Sequence, residues 1–232
     1  MGLAGYLEYV AGSIYSRGAL STARLVASEL LFDVRHGVDT IGMVALDELA
    51  DIGRYDRRSG NRYQGGNPSL FFRLFQTLAS DYGYNFANEH FVDFGCGKGR
   101  ALLMALALGF GEVTGIEWSP TLCAIGRKNI DTYRRHHPTA VDARIICGNA
   151  VDIACPDSAT VLFYFNPFKA PVLEAVLRNV HESRIRSPRR ITHVYLNPVH
   201  RIVFARPGVD RLLSFSGNRG GHEDAVVYVE GY

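Results

Sequence analysis

Val92-Asp93-Phe94-Gly95-Cys96-Gly97-Lys98-Gly99-Arg100 is the stretch that decides how this chain folds. An apolar run beginning at Phe91 leads into it, and an Ala- and Leu-rich run ending at Leu108 leaves it. That order spells strand, turn, helix. Glycines at 95, 97 and 99 permit positive φ and let the backbone approach a ligand closely. Their spacing is G-x-G-x-G, whereas the dinucleotide fingerprint is G-x-G-x-x-G with its pyrophosphate on the helix N-terminus. A glycine cluster alone is also what any tight strand-to-helix turn needs.

Downstream the pattern repeats. Val113 to Ile116 reads as strand two and ends at Glu117, 24 residues after Asp93. Ser119-Pro120 opens a helix that runs to about Arg135, residues 143–147 form strand three, and residues 160–165 form strand four. Pro171 to Val180 is a helix, and residues 191–196 are strand five. Strands alternating with helices predict a parallel α/β sheet with right-handed crossovers. Arg211 to Phe215 and Ala225 to Glu230 follow with only a Gly-rich loop between them, so this last pair is expected to be antiparallel.

Upstream, Asn67 and Pro68 suit a helix start, and Leu70, Leu74 and Leu78 form a stripe with Phe71 and Phe75 beside it. The chain divides near residue 66. Before it, residues 18–31 place Leu20, Ala23, Leu25, Val26, Leu30 and Leu31 in a roughly helical stripe. Asp51 to Asn67, with four arginines and four glycines, reads as a loop. The expected organisation is a helical N-terminal extension, residues 1–66, and one domain over 67–232.

Composition limits the function classes. Of 232 residues, 47% are hydrophobic and 21% charged, which suits a soluble globular chain with a full core. Lys and Arg total 25 against 23 Asp and Glu, a net charge of +2, too balanced for a dedicated nucleic-acid binder. The four cysteines show no CxxC pair and no zinc spacing, so no metal is expected. The first ten residues lack a basic start followed by an apolar run, and no apolar run approaches membrane-spanning length. Reduced thiols in a cytoplasmic protein are the expectation.

Asp93-x-Gly95-x-Gly97-x-Gly99 followed by Glu117 resembles the class I (seven-stranded, Rossmann-like) S-adenosylmethionine-dependent methyltransferases over residues 67–232. The resemblance implies a three-layer α/β/α sandwich whose seven-stranded sheet is mostly parallel with an antiparallel last strand. It implies S-adenosylmethionine as cofactor. Asp93 would lie near the methionine amino group, and Gly95, Cys96, Gly97 and Gly99 would pass beneath the cofactor. Glu117 would hold the ribose, and an acid there can accept both hydroxyl hydrogens in charge-assisted bonds of about 1.5–3 kcal/mol each. Gly148-Asn149-Ala150 falls at the adenine position. The family often has Asp there, and Asn149 still offers a carbonyl acceptor. Trp118 either stacks on adenine or packs into the core.

Phe165-Asn166-Pro167-Phe168 resembles the (N/D)-P-P-(Y/F) motif of amino-methyltransferases, shortened by one proline. It implies that Asn166 and the Pro167 region accept hydrogens from a target nitrogen, while Phe168 walls the acceptor. Asn197-Pro198 repeats the arrangement after strand five, so the motif is also a way of ending strands. Phe32-Asp33-x-x-x-Gly37-Val38-Asp39-Thr40-x-Gly42 resembles a block shared by a bacterial branch of these enzymes. In that branch Tyr63 and Ser69 would stand near the cofactor's methionine end. Loop and helix-cap roles for these two, and capping or turn roles for Asp33 and Asp39, are the alternatives.

The function implied is methyl transfer to a nitrogen of a protein, peptide or small-molecule acceptor, with no sequence-specific nucleic acid and no membrane as partner. A non-catalytic S-adenosylmethionine-binding module and an NAD-dependent oxidoreductase are the competing readings. His136 and His137 read as a helix end favoured by the dipole. Arg184, Arg186, Arg189 and Arg190 read as a loop, either solvated or touching an anionic substrate.

Overall fold

The computed structural model describes residues 10–15, 18–44, 63–64, 66–138, 141–216 and 224–231. The sheet strands are β1 (His90–Phe94), β2 (Glu112–Glu117), β3 (Ala143–Cys147), β4 (Val161–Phe165), β5 (Ile191–Leu196), β6 (Val209–Phe215) and β7 (Ala225–Glu230). The helices are α1 (Ala19–His36), α2 (Pro68–Tyr82), α3 (Arg100–Leu108), α4 (Pro120–His136) and α5 (Ala170–Arg186). Spatially the strands run β3-β2-β1-β4-β5-β7-β6. The first five are mutually parallel, and β7 is antiparallel to both of its neighbours. The chain therefore enters at the centre, winds out to β3, and returns to the other side at β4. That reversal opens a crevice at the C-terminal ends of β1 and β4, where open α/β sheets bind ligands.

Central position explains the strand chemistry. Phe91, Val92 and Phe94 of β1 are essentially inaccessible, as expected of a strand covered on both faces. One face packs Phe71, Leu74, Phe75 and Leu78 of α2 and the apolar α3 against Phe91 and Phe163. The other packs Leu173, Val176, Leu177 and Val180 of α5 against Val92, Phe94, Leu162 and Tyr164. The helix starts obey local rules. Asn67 Oδ1 accepts the Ser69 and Leu70 amides, and Ser119 Oγ accepts that of Leu122, each with proline next in line. Gly109 ends α3 in the left-handed region.

Three expectations need correction. Helix α5 continues beyond Val180 to Arg186, because its last turns are polar on their solvent side and carry no apolar stripe. Arg184 and Arg186 are thus helical, not in a loop. Next, of the stripe that periodicity suggests, α1 buries only Leu25 fully. Leu20, Leu30 and Leu31 are 66%, 46% and 68% exposed, while Thr22, Leu25, Glu29, Phe32 and Asp33 face inward. The buried carboxylates are drawn to a buried cation, Arg100, whose Nη1 lies 3.5 Å from Glu29 Oε1 and whose Nη2 lies 3.9 Å from Asp33 Oδ1. Finally, His137 is more than a helix end: its Nε2 lies 2.8 Å from His36 Nδ1, joining α4 to α1. Most of the predicted loop from Asp51 to Asn67 lies outside the described residues.

Candidate active site

The sequence motifs converge at the C-terminal edge of the sheet. Asp93 pairs in register with Gly115 of β2 and Phe163 of β4, so it sits one residue before the end of β1, between two strands. It is 4% exposed. Burial, with Glu117 adding to it, pushes its carboxyl well above the usual carboxylate range. Two acids are thus held close together in a dry place.

The glycine loop then turns tightly. Gly95, Gly97 and Gly99 all have positive φ. A Cβ on Gly95 would stand 2.6 Å from Pro167 Cβ, so only glycine lets the loop and the Asn166-Pro167 turn touch. The loop's amides are spent internally. Gly95 and Cys96 N–H both donate to the Ile116 carbonyl at 2.8 and 3.1 Å, and Gly99 N–H donates to the Cys96 carbonyl at 2.8 Å. Gly97 N–H donates to Glu117 Oε2 at 2.9 Å. The Cys96 side chain points down onto β2, where a Cβ on Gly115 would meet its Sγ at 2.5 Å. Burial, with Asp93 and Glu117 adding to it, raises that thiol far above its ordinary value, so it stays protonated.

Glu117 is 5% exposed and bonded on both oxygens, Oε1 accepting the Ser119 amide at 2.9 Å. These two bonds fix the direction of its carboxylate. Gly148 N–H donates to the Glu117 carbonyl at 2.8 Å and fastens the end of β3 beside it. Trp118 next in line is half-buried. Asn149 is half-buried, and its Oδ1 accepts the Val151 amide at 3.3 Å in a local turn, while Ala150 is buried in the apolar core.

Across the crevice, Asn166 ends β4 in the left-handed region at φ 42°. The Tyr195 hydroxyl donates to Asn166 Oδ1 at 3.4 Å and accepts the His200 amide at 3.3 Å. Phe168 is half-buried against the α5-side core. Asn197 repeats the φ, at 47°, but its side is exposed and its N–H is taken by the Asp224 carbonyl. Ser69 is exposed in the first turn of α2. Tyr63 forms a two-residue antiparallel ladder with Val44; its side chain lies outside the described residues.

Sequence reasoning assigned no role to Lys98, Arg100 or Asn129. Tyr195 falls among the histidines and tyrosines near 193–200 that read as candidate general bases, with nothing in the sequence to choose between them. Lys98 and Arg100 carried a readable signal: charges flanking an otherwise apolar helix start, which need partners once buried. The arginines near α5 line a concavity of about 520 Å³ with His181, but their charge is engaged. Arg184 pairs with Glu230 at 2.9 Å, and Arg189 donates to four carbonyls, those of Pro156, Ala159, Ser183 and Ser187. Arg190 lies 4.5 Å from the Tyr84 ring centroid. Among the described residues no cluster of metal-ligating side chains occurs, and no helix is long and apolar enough to cross a membrane.

The comparisons agree with this layout. Residues 91–183 match the family described as Methyltransferase domain, Methyltransf_25. No curated protein matches the chain. Among solved structures, magnesium protoporphyrin IX methyltransferase (ChlM) from Synechocystis PCC 6803, determined with bound S-adenosylmethionine, aligns with 12% identity over 89% of this chain and 96% of its own, at TM-score 0.54. YhhF of Escherichia coli, named as a candidate methyltransferase, aligns with 17% identity over 71% of this chain and 87% of its own, at TM-score 0.56. At such identities the likeness is one of fold.

Proposed function

We propose that this chain is a class I S-adenosylmethionine-dependent methyltransferase, a reading supported by the methyltransferase-domain match over residues 91–183 and by the shared fold, and that it transfers the methyl group to a nitrogen of a small-molecule, peptide or protein acceptor, at the crevice between the glycine loop and Asn166. The observation that carries the site is the buried acid pair, Asp93 and Glu117, beside a glycine loop whose amides at 95, 96, 97 and 99 are already bonded. A pyrophosphate would meet two acids and four spent donors, which disfavours the NAD reading. A ligand that brings positive charge and ribose hydroxyls fits. Its ammonium group relieves the charge repulsion at Asp93, and Glu117 accepts from hydroxyls.

Bound there, S-adenosylmethionine supplies a methyl group already activated by its sulfonium. What remains for the chain is alignment, which can supply about 7–11 kcal/mol. Asn166, held by its backbone turn and by Tyr195, presents a side-chain carbonyl able to accept a hydrogen from an amine and orient its lone pair. Pro167, lodged on Gly95, keeps that acceptor group in fixed relation to the glycine loop. Phe168 supplies apolar surface beside them. All four thiols are unpaired, which supports a reducing, cytoplasmic setting.

Calorimetric titration with S-adenosylhomocysteine, with NAD in parallel, tests the cofactor. Micromolar binding of the former, near −8 kcal/mol, and none of the latter is expected. Methyl transfer from labelled donor to amine-bearing acceptors and to their hydroxyl analogues tests the nitrogen assignment. Transfer only to hydroxyls refutes it, and tight cofactor binding with no transfer to either favours the non-catalytic module.

A further inference from the structure

We infer that residues 29–41 are a working part of the cofactor site, a brace that sets the shape of the glycine loop through Asp33, Asp39 and Thr40. The inference rests on reading residues 95–99 as the cofactor cradle. It makes these three positioning residues.

The loop is held from two sides. On one side β2 supplies the Ile116 carbonyl and the Glu117 carboxylate. On the other, two charged side chains leave the loop: Lys98, 8% exposed, and Arg100, 2% exposed. Charges so deeply placed almost always need partners, and here most partners come from residues 29–41. Lys98 Nζ donates to Asp39 Oδ1 at 2.9 Å and to the Ile41 carbonyl at 3.0 Å. Arg100 Nε donates to Thr40 Oγ1 at 2.7 Å, and Nη1 donates to the Gly66 carbonyl at 3.2 Å.

The segment is itself built to present these groups. Gly37 ends α1 in the left-handed region and turns the chain back. Asp33 then accepts the amides of Thr40 at 2.6 Å and Ile41 at 2.8 Å, and its other oxygen accepts the Thr40 hydroxyl hydrogen. That hydroxyl is thereby oriented with a lone pair toward Arg100. Asn129 of α4 closes the arrangement. It accepts the Asp39 amide at 2.9 Å and donates to the carbonyls of both Asp39 and Lys98, at 2.8 and 3.0 Å.

The consequence reaches the ligand contacts. Arg100 begins α3 directly after Gly99, and Lys98 follows Gly97, whose amide holds Glu117 Oε2. A shift of Lys98 or Arg100 therefore moves the donor that orients the ribose-binding acid. The brace is also one bond short among the described residues: there Arg100 Nη2 is buried without a hydrogen-bond partner, 3.9 Å from Asp33 Oδ1. The Thr40 hydroxyl is thus the short link between guanidinium and carboxylate.

The test compares Thr40→Val, Thr40→Ser and a control, Ser183→Ala, which removes a buried hydroxyl bonded to Asp157 on α5. S-adenosylhomocysteine affinity is measured by calorimetry, with the thermal midpoint alongside. Thr40→Val is expected to weaken binding about tenfold, Thr40→Ser to restore it, and Ser183→Ala to change it less than about twofold even where its midpoint falls as far. Equal weakening in Thr40→Val and Ser183→Ala, unchanged binding in Thr40→Val, or no rescue by serine overturns the inference. Should Thr40→Val fail to fold, Asp39→Asn at an exposed carboxylate replaces it, and unchanged affinity there overturns the inference. A wild-type chain that binds no S-adenosylhomocysteine is a separate result and defeats the cofactor reading itself.

Discussion

Glu117→Gln is the most informative single change, because Glu117 is asked to do two things. Its oxygens accept the amides of Gly97 and Ser119, each at 2.9 Å, from a site 5% exposed. An amide side chain has one carbonyl oxygen and one NH₂ group. Whichever way Gln turns, one backbone N–H faces a donor. Losing one bond to a charged acceptor in a buried place costs about 1.5–3 kcal/mol. For a chain of this size that lowers the thermal midpoint by about 3–12 °C, at about 2–4 °C per kcal/mol. Under the proposed ribose role the same substitution would weaken that contact by a comparable amount, so S-adenosylhomocysteine should bind about 10–100-fold more weakly. Thermal denaturation and calorimetric titration of one preparation measure both. A midpoint and an affinity both equal to wild type would refute the account. A lowered midpoint with unchanged affinity would leave the bond to the glycine loop intact as a description and remove the ribose role.

Asn166→Gly keeps the positive φ free of strain, so it should leave the unfolding free energy within about 1 kcal/mol of wild type while reducing turnover at unchanged cofactor affinity; full turnover would take Asn166 out of the site. Gly95→Ala forces a Cβ to within 2.6 Å of Pro167 Cβ at φ 83°; both stability and cofactor binding should fall, and a well-folded variant with normal affinity would disprove the close approach. Asp93 has a folded pKa raised by burial and by Glu117, so its contribution to stability is present at low pH and lost as pH rises through that folded value. A cationic ligand favours the ionised form, so binding should release protons, seen as a buffer-dependent heat in calorimetry; a heat independent of buffer would count against Asp93 as the ammonium partner. Burial pushes Glu230 up, but the His193 hydrogen bond with Arg206 and Arg184 outweighs it and holds the carboxyl at about 2. Its contribution is present above the unfolded value of 4.5 and lost as pH falls through about 2, so Glu230→Gln should lose about 3 kcal/mol at pH 7 by urea denaturation, with the gap closing on acidification; a gap constant from pH 7 to 3 would contradict this.

The central architecture was legible because each signal was local. The Gly95–Gly99 spacing, the Asn67 and Ser119 caps and the glycine stop at 109 each act within a few residues, and the alternation of strands and helices carries the topology. The short, Gly-rich span between Phe215 and Ala225 was enough to read the last pair as antiparallel. The N-terminal extension was not legible in the same way. Its apolar stripe gave the right helix and the wrong face, because the choice of face depends on Arg100, far along the chain. A buried cation that recruits Glu29 and Asp33 overrides periodicity, and nothing in the spacing of residues 18–36 contains that information. Tyr195 could not be singled out from the other histidines and tyrosines near 193–200 for a similar reason. It sits in a strand of ordinary β-forming residues, and its relation to Asn166 exists only because β4 and β5 are neighbours in the sheet.

The two Asn-Pro turns show how structural need and chemistry share one motif. Adjacent parallel strands β4 and β5 end in the same way, with asparagine at φ 42° and 47° followed by proline. Asparagine is among the few side chains that enter that region readily, so its presence after either strand follows from turning the chain. What separates the two is their neighbours. Asn197 is exposed, and its amide closes onto Asp224 at the start of β7. Asn166 is half-buried, its side chain is held by Tyr195, and its proline rests on Gly95. Only the first turn therefore joins the end of β4 to the loop that would carry the cofactor. Pro167 against Gly95 couples the two halves of the crevice, so under the proposed function the spacing between an acceptor at Asn166 and a methyl donor on the loop would be set by a rigid proline ring against a glycine backbone, not by flexible side chains. That rigidity is what a reaction limited by alignment needs.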